Sequence, residues 1–289
     1  MVKFAQRLIY PISYLWNEES NRGQRTRRLC VFVGWQLWKR LARGPITVPL
    51  FNGKKFFAYP DCHISSGIMY TRIPNSRNIL FLRKHVSGGT LIDVGANVGS
   101  VSLLLADTID NAILFEPNPV AAARARENLA LNQLAFKVYE FALSDTTGEI
   151  GFEWHGAVDV GAHSVVNASG NQTPTHVVQC ITLDEFLCQY GYPDFPISLV
   201  KIDVEGHENS VLRGMRRSLA EKKPLVMFEY LQRTNLEQTI SIFAEVGYKV
   251  FELGENGPVA VTSEVRPLQD LFACPMEHMS AMGFSSRTS

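Results

Sequence analysis

The stretch "LIDVGANVGSVSLLLA", residues 91–106, joins a short apolar run to a glycine-bearing turn and then to an apolar helical pattern. Gly95 and Gly99 flank the turn, and glycine lets the backbone adopt positive φ angles. Asn97 lies between them and is among the few other residues that tolerate the left-handed region. The stretch therefore predicts a buried strand, a tight loop and a helix N-terminus whose unpaired N–H groups face a ligand.

The alternation of strand-like and helix-like segments continues along most of the chain. Short apolar runs separated by helical patterns are typical of a mostly parallel sheet with helices on both faces. The predicted fold is therefore α/β and Rossmann-like, with a further strand near the C-terminal "DLFACP". The main predicted strands cover residues 90–96, 112–117, 136–145, 197–206, 224–230 and 248–253.

Local signals place helix ends and one hairpin. Asn118 is a candidate N-cap, and "TLDE" at 182–185 is a capping box that opens another helix. Residues 45–60 alternate around Asn52-Gly53, which predicts a small hairpin. The predicted helices include residues 76–89, 118–133, 207–220 and 236–247.

The chain has 289 residues and a formal net charge of zero, but the charge is unevenly distributed. Residues 1–45 hold nine Lys or Arg and two Glu, a net charge of +7, so the remainder carries about −7. Such asymmetry indicates either a basic arm at an anionic surface or a solvated helix face. We predict two parts, a basic helical and hairpin extension (1–79) and a catalytic domain (80–289).

No segment is long and apolar enough to predict a transmembrane helix, which needs about 18 residues or more. The segment "LCVFVGWQLW" (29–38) is too short, and it is predicted to pack on the catalytic domain or to lie at a membrane interface. A signal peptide is not expected, because Pro11 breaks the N-terminal apolar run. Five scattered cysteines without a C-x-x-C pair indicate reduced thiols and no zinc site. We expect a cytoplasmic protein, with peripheral contact at the inner membrane face as a further expectation.

Carboxylates follow five successive predicted strands. Ligands of an open α/β sheet bind beyond the carboxyl ends of its strands. Five acids along one edge would repel each other, so hydrogen-bonding or cationic partners are expected, and a polyhydroxylated or positively charged ligand supplies both. These acids are Asp93, Glu116, Asp145, Asp203 with Glu205, and Glu229.

The loop spacing distinguishes two kinds of ligand. A dinucleotide site would have G-x-G-x-x-G with a pyrophosphate on the helix N-terminus, whereas this chain has G-A-N-V-G. Asp93, directly beneath the loop, is poorly placed for a pyrophosphate and well placed for an ammonium or sulfonium ligand. Glu116, 23 residues after Asp93, is placed to accept hydrogen bonds from ribose hydroxyls. That second acid also occurs in NAD sites and does not discriminate.

The ordered set "DVGANVG", "FEPNP", "ALSD", "VKIDVEGHE" and "VLRG" resembles the FkbM family of S-adenosylmethionine-dependent methyltransferases. The resemblance covers about residues 80–275. It implies the class I methyltransferase fold, with seven strands of which six are parallel and the last is antiparallel. It also implies methylation of a hydroxyl oxygen, often on a sugar or polyketide.

The resemblance also implies which residues bind the cofactor, S-adenosyl-L-methionine. The loop after the first strand would hold the methionine part, the end of the second strand the ribose, and the end of the third strand would border the adenine. On this chain the first group is Asp93, Gly95, Ala96, Asn97 and Gly99; the second is Glu116, Pro117 and Asn118; the third is Ser144 and Asp145.

Candidate catalytic residues lie in "KIDVEGHE". Methyl transfer requires the acceptor oxygen to be positioned in line, and a base within hydrogen-bond reach assists an alcohol nucleophile. We hypothesise that His207 or Glu205 accepts the proton while Asp203 orients the acceptor. The alternatives are that both acids stabilise the loop through backbone N–H groups and that His207 only opens the next helix.

Two further sites are predicted for the acceptor. Glu229 either binds acceptor hydroxyls or forms a buried ion pair. The insertion at 151–176 would lie over the acceptor, where Trp154 and His155 are candidates for contact with a sugar. No metal site is predicted, because no His and carboxylate spacing demands one.

The resulting prediction is an S-adenosylmethionine-dependent O-methyltransferase acting on a hydroxyl of a sugar, glycan or glycolipid precursor. The expected partners are a small-molecule or glycan acceptor and no nucleic acid. One alternative is a non-catalytic cofactor-binding scaffold at a membrane surface. The other is an NAD-dependent oxidoreductase, which the missing G-x-G-x-x-G motif disfavours.

Overall fold

An eight-stranded sheet forms the centre of the computed structural model, which describes residues 11–13, 15–42, 44–154, 163–165, 176–231, 235–255, 257–261 and 269–284. Strands are numbered β1 to β14 along the chain. Across this sheet they lie in the order Gly257–Ala260 (β13), Tyr248–Gly254 (β12), Gln269–Pro275 (β14), Leu225–Tyr230 (β11), Ile197–Ile202 (β10), Thr90–Val94 (β3), Asn111–Phe115 (β4) and Lys137–Tyr139 (β5).

The predicted mostly parallel sheet is confirmed. Strands β5, β4, β3, β10 and β11 are parallel neighbours, and β14 runs antiparallel between β11 and β12. The strand count differs from the seven that the resemblance implied. The eighth strand, β13, pairs with β12 in a short antiparallel hairpin and adds one strand at the sheet edge.

The third predicted strand, 136–145, is divided between two sheets. Only β5 joins the main sheet, and Ala142–Leu143 (β6) pairs instead with a strand that follows the insertion. The chain that follows β6 contributes further strands, and β6 joins these in a second sheet. The second sheet has the order β6, β9, β7 and β8, where β7 is Gly148–Trp154, β8 is His163–Val165 and β9 is His176–Ile181.

The helices cover both faces of the main sheet. Asn118 accepts hydrogen bonds from the N–H groups of Val120 and Ala121, and Thr182 accepts one from Glu185, so both predicted caps are confirmed. The helices are Arg25–Leu41 (α1), His63–Thr71 (α2), Ser76–His85 (α3), Ser100–Leu104 (α4), Pro119–Leu131 (α5), Leu183–Gln189 (α6), Glu208–Arg213 (α7), Arg216–Lys222 (α8) and Leu236–Glu245 (α9).

The single helix predicted over 207–220 was wrong, because the structure divides it into α7 and α8 around Gly214. A Cβ atom at Gly214 would lie 1.9 Å from the carbonyl oxygen of Ser144. The chain segment after β6 therefore passes directly against this backbone. A periodic apolar pattern continues through such a break, so the pattern alone cannot reveal it.

Two hydrophobic cores lie on opposite faces of the main sheet, and successive strand residues alternate between them. Leu91 and Leu199 belong to one core, while their neighbours Ile92 and Val200 belong to the other. This is the period-two pattern of a strand that is buried on both faces. Packing on both faces holds the carboxyl ends of the strands at fixed positions along one edge of the sheet.

The N-terminal extension packs on the first of these cores. The predicted hairpin is confirmed as Ile46–Pro49 (β1) and Lys55–Ala58 (β2), and backbone N–H groups of β2 donate to the side chains of Asn128 in α5 and of Asn132, its C-cap. The predicted division between residues 79 and 80 falls inside α3, so the extension and the following domain share a helix and a core. Among the described residues, no helix is both long and apolar enough to cross a bilayer.

Candidate active site

A cavity of about 1080 Å³ opens at the carboxyl ends of β3, β4, β10 and β11. Its volume and position are those of the ligand site expected for an open α/β sheet. The structure brings most of the sequence-predicted residues to its wall. Those that line it are Gly95, Ala96, Asn97, Glu116, Pro117, Asp203, Glu205, His207 and Glu229.

The loop after β3 curves tightly through three residues with positive φ. These angles are 70° at Gly95, 51° at Asn97 and 75° at Gly99. The N–H groups of Gly95 and Ala96 both donate to the carbonyl of Phe115, at 2.9 and 3.1 Å, which ties the loop to the end of β4. A Cβ atom at Gly95 would lie 1.9 Å from the carbonyl oxygen of Asp203. Only glycine fits there, because the loop contacts the backbone that follows β10.

Glu116 connects this loop to the start of α5. One carboxylate oxygen accepts a hydrogen bond of 2.8 Å from the Asn97 N–H, and the other accepts one of 2.9 Å from the Asn118 N–H. Burial raises the pKa of Glu116 to about 7, although the two backbone hydrogen bonds lower it. The carboxyl group is 5% exposed and lies at the cavity wall, where its remaining lone pairs can accept further hydrogen bonds.

Asp93 lies beneath the loop and does not reach the cavity wall. Its side chain is fully buried, accepts a hydrogen bond of 2.7 Å from Ser102 Oγ and lies 3.6 Å from Lys201 Nζ. Lys201 also donates to the carbonyl of Gly95 at 2.8 Å and lies 3.3 Å from Asp203. The predicted role of Asp93 toward a cationic ligand stays a prediction, since its direct partners are these protein groups.

Lys201 was not singled out from the sequence. Burial alone would lower the pKa of Lys201, but Asp203 and Asp93 raise it above its ordinary value. The lysine therefore carries its charge in the interior and joins the loop after β3 to the end of β10. The available signal was a lysine within the otherwise apolar run "ISLVKI", because charged residues are almost never buried without a partner.

A cluster of carboxylates forms the far end of the cavity. Oxygen atoms of Asp203, Glu205 and Glu229 lie within 4.8 Å of one another, a spacing that a divalent cation could also use. The backbone after Ile202 leaves the strand, and Glu205 reaches the cluster from a left-handed conformation with φ 54°. The strand predicted over 197–206 was therefore too long, because β10 ends at Ile202, although Asp203 and Glu205 do lie together.

Asp270 extends the cluster and was missed by sequence reasoning. It is paired across the ladder with Glu229, because β14 inserts antiparallel beside β11. Burial and the charges of neighbouring acids raise the pKa of Glu229 to about 9 and that of Asp270 to about 6. The contact has no local sequence signal, because it depends on which strand lies beside β11.

Glu229 gives the protein a pH dependence with a defined sign. Its pKa in the folded state, about 9, lies above the ordinary value of 4.5, so the folded protein binds a proton that the unfolded chain releases. Stability is therefore lost as the pH rises from about 5 toward 9. We expect Glu229→Gln to lose less unfolding free energy than the wild type over this range, measured by urea denaturation. The exposed Glu221→Gln is the control, and parallel curves for the wild type and Glu229→Gln would contradict this assignment.

The opposite end of the cavity is apolar and lies beside Ser144. Phe141, Leu143 and Phe152 line it. His207, the N-cap residue of α7, has its Nε2 atom 2.9 Å from Ser144 Oγ, and burial lowers the pKa of the imidazole. Ser144 therefore lies behind His207.

Asp145 points toward α7 and is not part of the cavity wall. It pairs with Arg213 at 3.1 Å. Burial raises the pKa of Asp145, but the hydrogen bond and the charge of Arg213, together with the hydrogen bond from Ser144, lower it overall. The predicted contact of Ser144 and Asp145 with an adenine stays a prediction.

The wall facing the sheet comes from the N-terminal extension. Asn75 and Asn78 lie at the start of α3, and Asn78 donates a 2.7 Å hydrogen bond to Asp270. Sequence reasoning expected the insertion at 151–176 to cover the acceptor. The side chain of Trp154 and all of His155 lie outside the described part of the structure, so their roles stay predictions.

Comparison with known proteins places these features in a family. Residues 93–250 match the family model described as the methyltransferase FkbM domain, which is more than half of this chain. The matched segment begins at Asp93 and includes Glu116, Asp203 and Glu229.

Two characterised proteins are similar in sequence. Hexuronic acid methyltransferase AglP from Haloferax volcanii is 34% identical over 140 residues, which span 48% of this chain and 55% of that protein. The 2-O-methyltransferase NoeI from Sinorhizobium fredii is 27% identical over 192 residues, or 61% of this chain and 77% of that protein. The chain thus spans about half the length of the first relative and three quarters of the second.

Among solved structures, methyltransferase FkbM from Methylobacillus flagellatus is one of the similar chains. The superposition covers 86% of this chain and 59% of that chain, with 14% identity and a TM-score of 0.43. A likeness at this level supports no conclusion beyond those drawn from the residues themselves.

Proposed function

This chain belongs to the FkbM methyltransferase family, and on that premise we propose that it is an S-adenosylmethionine-dependent O-methyltransferase that methylates a sugar hydroxyl. One observation carries the proposal. A single cavity joins Glu116, which follows β4, to the carboxylates at the carboxyl ends of β10 and β11. The cavity therefore offers a hydrogen-bonding site for a nucleoside beside Glu116 and a strongly acidic region at the ends of β10 and β11.

The residues around Glu116 are suited to the proposed cofactor. Glu116 would accept hydrogen bonds from the ribose hydroxyls, and the apolar end formed by Phe141, Leu143 and Phe152 would contact the adenine. Acids with raised pKa values are stabilised in their charged form by a nearby positive charge, which an ammonium or a sulfonium provides. The donor set thus fits S-adenosyl-L-methionine.

The acidic region is suited to orienting a hydroxyl and removing its proton. When bound, S-adenosylmethionine supplies an electrophilic methyl group on sulfur. We assign Asp203 to orienting the acceptor hydroxyl and Glu205 to accepting its proton; the hydroxyl oxygen would gain the methyl group as the bond from methyl carbon to sulfur breaks, leaving the demethylated thioether. His207 is assigned to the apolar end, because its Nε2 atom is engaged by Ser144 and not directed at the acids.

The acceptor wall supports a polyhydroxylated substrate. The side chains of Asn75, Asn78, Glu229 and Asp270 offer amide donors and carboxyl oxygens around one space. A sugar hydroxyl can accept a hydrogen bond from an amide N–H group and donate one to a carboxyl oxygen, so this set of side chains suits a substrate with several hydroxyls. The two relatives are named for hexuronic acid methylation and for 2-O-methylation, which favours a sugar, glycan or glycolipid precursor as the acceptor class here.

A direct test is methyl transfer from labelled S-adenosylmethionine to a panel of hexuronates and hexosides, free and lipid-linked. On an acceptor found in this way, we expect Asp203→Asn to lower turnover about tenfold, because the acceptor hydroxyl is less well oriented. The affinity for S-adenosylmethionine should stay near that of the wild type. Full turnover in Asp203→Asn would remove Asp203 from the reaction.

The two alternatives make different predictions. An NAD-dependent oxidoreductase would bind NAD, although Asn97 occupies the loop where a glycine would admit a pyrophosphate. A non-catalytic scaffold would bind S-adenosylmethionine without transferring its methyl group to any acceptor. We also propose peripheral contact of residues 1–45 with an anionic membrane face, in line with their net charge of +7.

A further inference from the structure

Helix α1 has two faces of different character. Phe32 and Trp35 are buried against the core, and Trp35 Nε1 donates to Ser66 of α2 at 3.1 Å. The face turned away from the core carries apolar side chains spaced four residues apart, which lie above one another on a helix. This exposed stripe consists of Leu29, Val33, Leu37 and Leu41, whose exposed fractions are 37, 51, 51 and 81%.

The charge on α1 identifies the surface that the exposed stripe fits. The helix contains five basic residues and no acidic one. At 100° per residue, Arg40 lies on the same outward face, between the directions of Leu29 and Val33, and Arg27 lies about 40° beyond Leu41; both arginines are exposed. An outward face that combines apolar side chains with exposed arginines, on a helix with no acidic residue, is typical of a helix that lies in a membrane interface. Anionic lipid head groups match both parts, because the side chains enter the acyl boundary while the guanidinium groups pair with phosphates.

We propose that the exposed stripe of α1 docks this protein on an anionic membrane, with the helix axis parallel to the bilayer surface. The stripe spans thirteen residues, about 18 Å along the axis, so it would enter the interface along its length and not at one point. Trp38, 39% exposed beside the stripe, has the amphipathic ring that favours this depth.

The same helix forms part of the cavity mouth. Gln36, Lys39 and Arg40 of α1 line the cavity, and Arg40 is exposed next to the stripe. Docking would therefore bring the cavity mouth to the membrane surface. If the proposed function holds, the acceptor would be taken from that surface, as an amphiphile whose sugar reaches the cavity while its anchor stays in the lipid.

Vesicle flotation tests the docking without knowledge of the acceptor. The full chain is mixed with phosphatidylcholine vesicles containing about a third phosphatidylglycerol, and separately with pure phosphatidylcholine. We expect flotation with the anionic vesicles only, and at least a roughly tenfold lower bound fraction for Val33→Glu/Leu37→Glu, because two charges enter the apolar face. Leu80→Glu, a 54% exposed leucine on α3, is the matched control and should float like the wild type.

Several outcomes would overturn the docking. One is that the wild type does not float with anionic vesicles, and another is that Val33→Glu/Leu37→Glu floats as well as the wild type. The third such outcome is that Leu80→Glu loses as much of its bound fraction as Val33→Glu/Leu37→Glu. A stripe-dependent dimer by light scattering, without vesicle binding, would instead assign the face to a second copy of the chain. Titration of S-adenosylmethionine into the same proteins separates the two proposals. Flotation without cofactor binding would reject the proposed function and leave the docking intact, and the reverse result would reject only the docking.

Discussion

Replacement of Glu116 by alanine is expected to weaken S-adenosylmethionine binding about 100-fold, because two hydrogen bonds from ribose hydroxyls to a carboxylate are lost. At about 1.5 kcal/mol each, they correspond to roughly two orders of magnitude in the dissociation constant. The side chain also holds the N–H groups of Asn97 and Asn118. The loop after β3 would therefore lose its hydrogen-bonded link to the N-cap of α5, which adds to the effect, although Asn128 of α5 still donates to the Val98 carbonyl.

The measurement is calorimetric titration with S-adenosylmethionine, its demethylated product and NAD. The wild type should bind the first two and not the third. Glu237→Ala, at an exposed position in the first turn of α9, is the matched control and should bind like the wild type. Unchanged binding in Glu116→Ala would show that the cofactor site lies elsewhere. Binding of NAD alone would favour the oxidoreductase.

Replacement of Lys201 by methionine is expected to lower the free energy of unfolding by about 3 kcal/mol or more. Methionine keeps the length of the side chain and removes its charge. Asp93 would then remain fully buried with Ser102 as its hydrogen-bonding partner and no cation 3.6 Å away. The Gly95 carbonyl would also lose its 2.8 Å hydrogen bond from Lys201.

Urea denaturation of a double-mutant cycle separates these contributions. Asp93→Asn/Lys201→Met should be less destabilised than the sum of the two single variants, because Lys201→Met alone leaves the buried Asp93 charge without a cation and Asp93→Asn removes that charge. Lys223→Met is the matched surface control, since Lys223 pairs with Glu277 at 2.7 Å while both side chains are about half exposed. We expect that variant to lose about 1 kcal/mol or less. If Lys201→Met and Lys223→Met lost similar amounts of unfolding free energy, the proposed role of the buried pair of Lys201 and Asp93 would be refuted.

The fold could largely be predicted because its strands are buried on both faces. Each then forms an uninterrupted apolar run, and helix caps such as Asn118 and Thr182 mark the segments between them. Three details could not be predicted in this way. The division at Gly214, the transfer of β6 to a second sheet and the added edge strand β13 all depend on contacts between segments far apart in sequence.

The candidate site was predicted where its residues follow their strands directly. Glu116, Asp203, Glu205 and Glu229 all reach the cavity wall, since parallel strands end along the same edge of the sheet. Asp270 was not found, because β14 enters antiparallel and brings its first residues to that edge. The wall made by α2 and α3 was missed for a related reason, as no sequence pattern indicates how an extension folds back on a sheet.

The contact between Gly95 and the Asp203 carbonyl has a consequence for protein engineering. It joins two loops through main-chain atoms alone, with no room for a methyl group between them. The spacing between the two halves of the cavity is therefore set by the backbone and not by the side chains that project into it. Acceptor preference could then be redesigned at Asn75, Asn78 or Glu229 while the frame that holds the loop after β3 stays constant. Such a separation of frame and contact surface makes these positions suitable for a combinatorial library.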